Sequence, residues 1–231
     1  MDFQVPNTLA TEIANYLSER IISGHIRPGE RLQEAHIATE LEVSRASVKE
    51  ALYSLERRHL VDIKPRKGAF ASQLNARHAT ELYDVYMHLL MMLGKRLCER
   101  WQDAHRHQLL DKVNQVAKQV SMTPPEITEI VKSSFAVMDA CCEVVDNEYL
   151  TESLDNLKPA VSRAYFLGAD RFRHDLSTTG QFFEALTRAV LQRDAGAAEQ
   201  AIYDFAEHQK QLIQRALDPE SAAAGKTAAI V

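Results

Sequence analysis

The chain has 231 residues, 45% apolar and 26% charged, with 27 Lys+Arg against 32 Asp+Glu for a net charge of −5. That balance fits a folded globular protein and excludes both a mostly disordered chain and a uniformly basic nucleic-acid coat. Eight glycines and seven prolines are too few for an all-β or Rossmann-type chain rich in turns. No window of about 18 residues is continuously apolar, so no membrane-spanning helix is expected. Met1-Asp2-Phe3-Gln4-Val5-Pro6 lacks the charged and apolar regions of a secretory leader. Cys98, Cys141 and Cys142 are odd in number and two are adjacent, so they form no disulfide framework. A reducing cytoplasm is the expected location.

In chain order, residues 8–24 read as a helix with Ile13, Leu17 and Ile21 on one stripe, Asn7 or Thr8 as N-cap and Gly24 as stop. Pro28-Gly29 forces a turn. A short helix follows over 34–41, with Ile37 and Leu41 inward. After the break at Glu42-Val43, Ser44 caps a third helix to about Arg58, with Val48, Leu52 and Leu55 buried. Leu60–Lys64 and Gly68–Ser72 are two short β-runs around a basic tip, Pro65-Arg66-Lys67-Gly68. Helices followed by a two-stranded wing make a winged helix-turn-helix over residues 1–75.

The remainder, 76–217, reads as helices at 77–101 (stripe Leu82, Val85, Leu89, Leu93, Leu97), 105–120, from Glu126 to about Val145, 148–168, 178–193 and 196–217. Short connections predict an antiparallel helical bundle. The fold class is therefore mainly α, and the tail over 218–231 is expected to fray.

The charge is uneven along this plan. Residues 1–42 carry net −4, residues 43–68 net +4, and the rest −5. The basic stretch coincides with the third helix and the wing, a scaffold that can present Arg45, Lys49, Arg66 and Lys67 together to a polyanion.

The stretch Ile21-Ile22-Ser23-Gly24-His25-Ile26-Arg27-Pro28-Gly29-Glu30-Arg31-Leu32 is followed by Val43-Ser44-Arg45-Ala46-Ser47-Val48-Lys49-Glu50-Ala51-Leu52, Leu55-Glu56, Leu60-Val61 and Gly68-Ala69-Phe70. In order and spacing, residues 9–72 resemble GntR-family transcription regulators. The helical remainder resembles the ligand-binding (FCD-like) domain of the FadR-type subgroup through its length, its helix pattern, Asn147, and Arg193-Asp194 with Ala198. The resemblance implies a homodimer that binds a palindromic double-stranded operator, is modulated by a small-molecule effector and is commonly a repressor.

A recognition helix enters the major groove by its first residues, here Ser44, Arg45, Ser47 and Lys49. Arg45 can donate two hydrogen bonds to guanine O6 and N7. Ser44 and Ser47 suit phosphate oxygens. Lys49 stands where the family more often has Arg, and without the guanidinium fork it suits a phosphate better than a base. Arg66, Lys67 and Gly68 would bring the wing tip to the minor groove.

Many members of the subgroup hold a divalent metal with one Asp and three His. Anchored on Asn147, the first two positions are Ser134 and Met138; a register shifted to Phe135 gives Lys132 and Ala136. Anchored on Arg193-Asp194, the other two are Phe183 and Phe205. No metal, and no other cofactor, is expected. Tyr86 and Leu90 stand where the family often has Arg and Glu. The implied effector pocket then combines Tyr86, Leu90, Met138, Phe183 and Phe205 with the polar Ser134, Arg163 and His208. Either it takes an apolar or aromatic effector, or these side chains fill it and the helical domain serves only dimerisation. His105 and His107 complete no metal set. A thiol sensor at Cys141-Cys142 is a further alternative, although no Lys or Arg nearby in sequence would lower a thiol pKa. No nucleophile elbow, phosphate loop or spaced carboxylate pair points to an enzyme.

Overall fold

The computed structural model describes residues 8–218. The chain forms two compact units, Met1–Leu74 with Asn156–Arg163, and Asn75–Asp155 with Ala164–Val231. The tail beyond Asp218, and Asn7 as an alternative N-cap, lie outside the described residues.

The first unit runs α1 (Leu9–Ile22), β1 (Arg31–Leu32), α2 (Glu34–Glu40), α3 (Arg45–Arg57), β2 (Val61–Lys64) and β3 (Gly68–Ala71). Thr8 caps α1, its hydroxyl accepting the Thr11 N–H at 3.3 Å. The inward stripes of α1 (Ile13, Leu17, Ile21) and α3 (Val48, Ala51, Leu52, Leu55) close over Leu32, Ile37, Leu60, Val61, Ala69 and Ala71 in one core. The wing differs from expectation: three antiparallel strands in the order β1-β3-β2 replace two. Arg31 pairs with Phe70 and Leu32 with Ala69. The Gly29 N–H donates to the Ala71 carbonyl at 2.9 Å and the Ala71 N–H to the Glu30 carbonyl at 2.8 Å. Gly29, at φ +78°, makes the turn that aims this segment at β3. A two-residue strand carries no alternation for sequence periodicity to register.

The second unit is helical: α4 (Ala76–Arg100), α5 (Arg106–Ser121), α6 (Ile127–Val145), α7 (Glu148–Arg171, divided between the units as above), α8 (Ser177–Leu191) and α9 (Ala195–Leu217). Asn147 caps α7, its side chain accepting the Leu150 N–H at 3.1 Å. The helices α4 and α9 run antiparallel. Gln214 donates to Thr80 at 3.0 Å, Lys210 to Asp84 at 2.8 Å, and Ile202 and Ala198 lie against Gly94. A Cβ on Gly94 would meet Ile202 Cδ1 at 2.7 Å. The helix α4 corrects another expectation. Its core face is Tyr83, Tyr86, Met87, Leu93, Gly94 and Leu97, while Leu82 and Leu89 are half-buried and Val85 is 56% exposed. The helix carries two adjacent apolar stripes, and the one with the tyrosines and the close-packing glycine faces its neighbours.

Gly94→Leu would force α4 and α9 apart. Chemical denaturation should show a loss of about 1–3 kcal/mol, as for overpacked cores; an unchanged midpoint would mean that the close approach is dispensable.

Candidate nucleic-acid interface and effector site

The first turn of α3 is fixed from below and capped from the front. Val48, Ala51, Leu52 and Leu55 are buried. The Ser44 hydroxyl accepts the Ser47 N–H at 3.1 Å and lies 2.9 Å from the Ser47 hydroxyl. Ser44 is therefore engaged as a cap, with Ser47 half-buried beside it, while Arg45 and Lys49 are exposed. The Lys49 ammonium lies 5.8 Å from the centre of the exposed Tyr53 ring, a cation–π contact that draws it along the helix. A stable cap and a rigid helix leave the Arg45 guanidinium free to address a partner.

The wing tip is a tight turn. The Lys67 N–H donates to the Lys64 carbonyl at 3.0 Å, and Arg66 between them adopts φ +62°, a left-handed conformation that a non-glycine residue adopts at some cost. Arg66, Lys67 and Gly68 are exposed. Lys64 lies over the Phe70 ring at 5.1 Å. The sequence reading missed Arg31: β1 sets its guanidinium beside the wing, 3.7 Å from where a Cβ on Gly68 would stand. Four cations (Arg31, Lys64, Arg66, Lys67) thus share one small sheet. The Pro-Gly turn shortly before Arg31 was its signal, but only strand pairing brings Arg31 to the wing.

In the helical unit, Tyr86 and Met138 meet. The buried Tyr86 hydroxyl donates to Met138 Sδ at 3.0 Å, and burial pushes the phenol well above its ordinary pKa. Phe205 stacks on Phe182 with centroids 4.3 Å apart, and Phe183 lies 4.9 Å from Phe182. Phe182 was not foreseen. The Tyr165 ring is 6.4 Å from Phe205, and its hydroxyl is 2.6 Å from Thr179 Oγ1. Leu90 is half-buried. Ser134 Oγ, His208 Nε2 and Gln209 Oε1 are buried with no hydrogen-bond partner; Gln209 was not foreseen, because a glutamine between His208 and Lys210 reads as facing solvent. Arg163 departs from the expected set. It falls in the α7 segment of the first unit, where its guanidinium donates to Ser72 Oγ at 2.8 Å and burial lowers its pKa against the pull of Asp62.

The residues expected at the family's metal positions are a hydroxyl, a thioether and two phenyl rings (Ser134, Met138, Phe183, Phe205), or Lys132 and Ala136 for the first two in the shifted register, and Met138 Sδ already accepts a hydrogen bond from the Tyr86 hydroxyl. Such donors do not suit a hard or borderline divalent ion. Among the described residues, no group of three His, Cys, Asp or Glu is placed to hold one. The three cysteines are buried and none is in a disulfide. Burial first, then Cys142 and Asp139, pushes the Cys141 thiol up to about 12.

Comparison with known proteins places these features. Residues 9–71 match the model of the bacterial regulatory proteins of the gntR family, and residues 81–208 match the FCD domain. An uncharacterized HTH-type transcriptional regulator of Bacillus subtilis, YdhC, is 22% identical over 94% of this chain and 97% of its own length. The gluconate operon transcriptional repressor of Bacillus subtilis is 30% identical over 70% of this chain and 65% of its own length. Among solved structures, McbR/YncC of E. coli superposes with a TM-score of 0.78 at 14% identity, covering 91% of this chain and 99% of that one. A GntR-type regulator of Rhodococcus sp. RHA1 gives 0.69 at 21% identity over 88% and 96%. No described helix is long and apolar enough to cross a membrane. The chain belongs to the GntR family of bacterial transcription regulators, with an FCD domain following its winged helix-turn-helix.

Proposed function

We propose that the protein is a homodimeric repressor. Residues 1–75 bind half of a palindromic operator, and residues 76–217 take a small effector without a metal. The observation that carries the DNA reading is the Ser44-capped start of α3, which leaves the exposed Arg45 free. Arg45 reads guanine in the major groove. Lys49 meets a phosphate, as does whatever hydrogen-bonding capacity the Ser44–Ser47 cap leaves. Arg66 and Lys67, joined by Arg31, meet the minor groove across Gly68, where the missing side chain allows close approach. A two-fold protein matches a two-fold site, and the effector shifts DNA affinity by its own difference in affinity for the two states. The repressor role is supported by the name of the gluconate-operon relative.

The effector reading is supported by the buried, unpartnered Ser134 Oγ and His208 Nε2. A merely filled core would leave these polar atoms at a cost, since buried polar groups are normally hydrogen-bonded. Aromatic and thioether side chains with a hydroxyl and an imidazole nitrogen suit an aromatic or apolar molecule bearing a hydrogen-bonding group.

Four outcomes are expected. With DNA selected from a random pool by the wild-type protein, Arg45→Ala should weaken binding about tenfold to hundredfold per half-site, the value of one bidentate base contact. Lys67→Ala should weaken all sequences alike and flatten the salt dependence. Retention of wild-type specificity by Arg45→Ala would end the recognition-helix assignment. Treatment with EDTA should leave the melting temperature unchanged and the protein free of stoichiometric metal, whereas a shift of several degrees would overturn the metal-free reading. An aromatic disulfide reagent at pH 8 should leave Cys141 unlabelled until the protein unfolds, because its thiol ionises only near pH 12; rapid native labelling would revive a thiol sensor.

A further inference from the structure

The outward face of α3 carries one large side chain with no use inside its own unit. Tyr53 is 43% exposed, although an aromatic ring gains by burial. At 3.6 residues per turn it points within about 30° of the direction opposite the buried stripe of Val48, Ala51, Leu52 and Leu55. The Lys49 ammonium lies 5.8 Å from its ring centre, and its hydroxyl has no hydrogen-bond partner among the described residues. Lys49 stands one turn before Tyr53 and Arg57 one turn after it, and both are exposed. An aromatic ring between two cations on one helix face suits a polyanion. Glu50, exposed as well, lies around the helix on the other side of Tyr53 from Lys49, so its carboxylate turns an anion toward the lysine side.

Distance decides what Tyr53 can touch. It lies about 12 Å along the helix axis from Arg45. With Arg45 at the base edges, a major groove about 12 Å wide puts a side chain that far on at the wall, where the phosphates are. A tyrosine hydroxyl donates to a phosphate oxygen, and such contacts fix the register of a protein on the duplex without reading bases. By holding Lys49, the ring also directs that ammonium to the wall and away from the base edges.

We propose that Tyr53 is a DNA-positioning residue: its hydroxyl donates to a phosphate on the wall of the major groove, and its ring holds Lys49 against the same backbone. The inference rests on the recognition-helix reading above and adds a contact to it.

The test titrates the full chain against a fluorescent duplex carrying the site that the wild type selects from a random pool, with thermal unfolding as a check on folding. Tyr53→Phe keeps the ring and loses the hydroxyl. It should melt as wild type and bind about tenfold more weakly per half-site, the worth of one hydrogen bond to a charged group. The loss should be the same for sites altered at single bases, and the salt dependence should not change, because a neutral hydroxyl displaces no counterion. Tyr53→Ala also releases Lys49, so the losses from Tyr53→Ala and Lys49→Ala should not add in the double variant. Duplexes with one phosphate at a time replaced by an uncharged methylphosphonate locate the contact: at one position in each half-site, the difference between wild type and Tyr53→Phe should disappear. A Tyr53→Phe protein that binds as tightly as wild type, changes base preference, or keeps its deficit at every neutralised phosphate would overturn the Tyr53 contact. Additive losses would overturn the hold on Lys49. Arg45→Ala, measured alongside, separates the two levels. Its loss of specificity beside an unaltered Tyr53→Phe removes only the tyrosine contact, whereas wild-type specificity in Arg45→Ala removes the recognition-helix reading and this contact with it.

Discussion

The winged helix-turn-helix depends on the burial of one face of a short helix. Val48, Ala51, Leu52 and Leu55 are all at most 1% exposed. They are pinned by the stripe of α1 on one side and by Leu60 and Val61 on the other. Truncating a side chain buried to that degree typically costs about 2–5 kcal/mol, more than the cap and the surface ion pairs of this unit together. With its buried face locked, α3 cannot rotate, so the residues on its opposite face have fixed directions. Sequence specificity needs this constraint, because a guanidinium fork is selective only when its approach is determined.

How much of this was legible in the residues differed between the two units. In the first, side-chain period, capping chemistry and turn residues agree, and Thr8, Ser44 and the basic tip fall where the pattern puts them. The strand β1 escaped because it exists only through pairing with β3. In the helical unit, the helix ends were readable, but α4 presents two apolar stripes of equal merit on the wheel. Which one is buried is decided by partners distant in the chain, Ile202 and Ala198 against Gly94 among them. Arg163 was expected among the polar members of the pocket, and nothing in the residues of α7 reveals that its turn belongs to the first compact unit.

The candidate effector site shows one chemistry exchanged for another. At the positions where the resemblance would put metal ligands stand Ser134, Met138, Phe183 and Phe205, and Phe182 stacks on Phe205. The buried polar atoms without partners in this unit include a hydroxyl (Ser134), an amide oxygen (Gln209) and an imidazole nitrogen (His208).

The third strand of the wing bears on the thermodynamics of association. A hairpin hanging free beyond β2 and β3 would fluctuate, and holding it in a groove would cost conformational entropy at the moment of contact. Here Gly29 and Glu30 clasp Ala71 from the far side through two backbone hydrogen bonds. The ordering of the wing is thereby completed during folding, and less of it falls on complex formation. A wing prepared in this way should dock as a nearly rigid body, and partners would be rejected by misfit rather than accommodated by rearrangement.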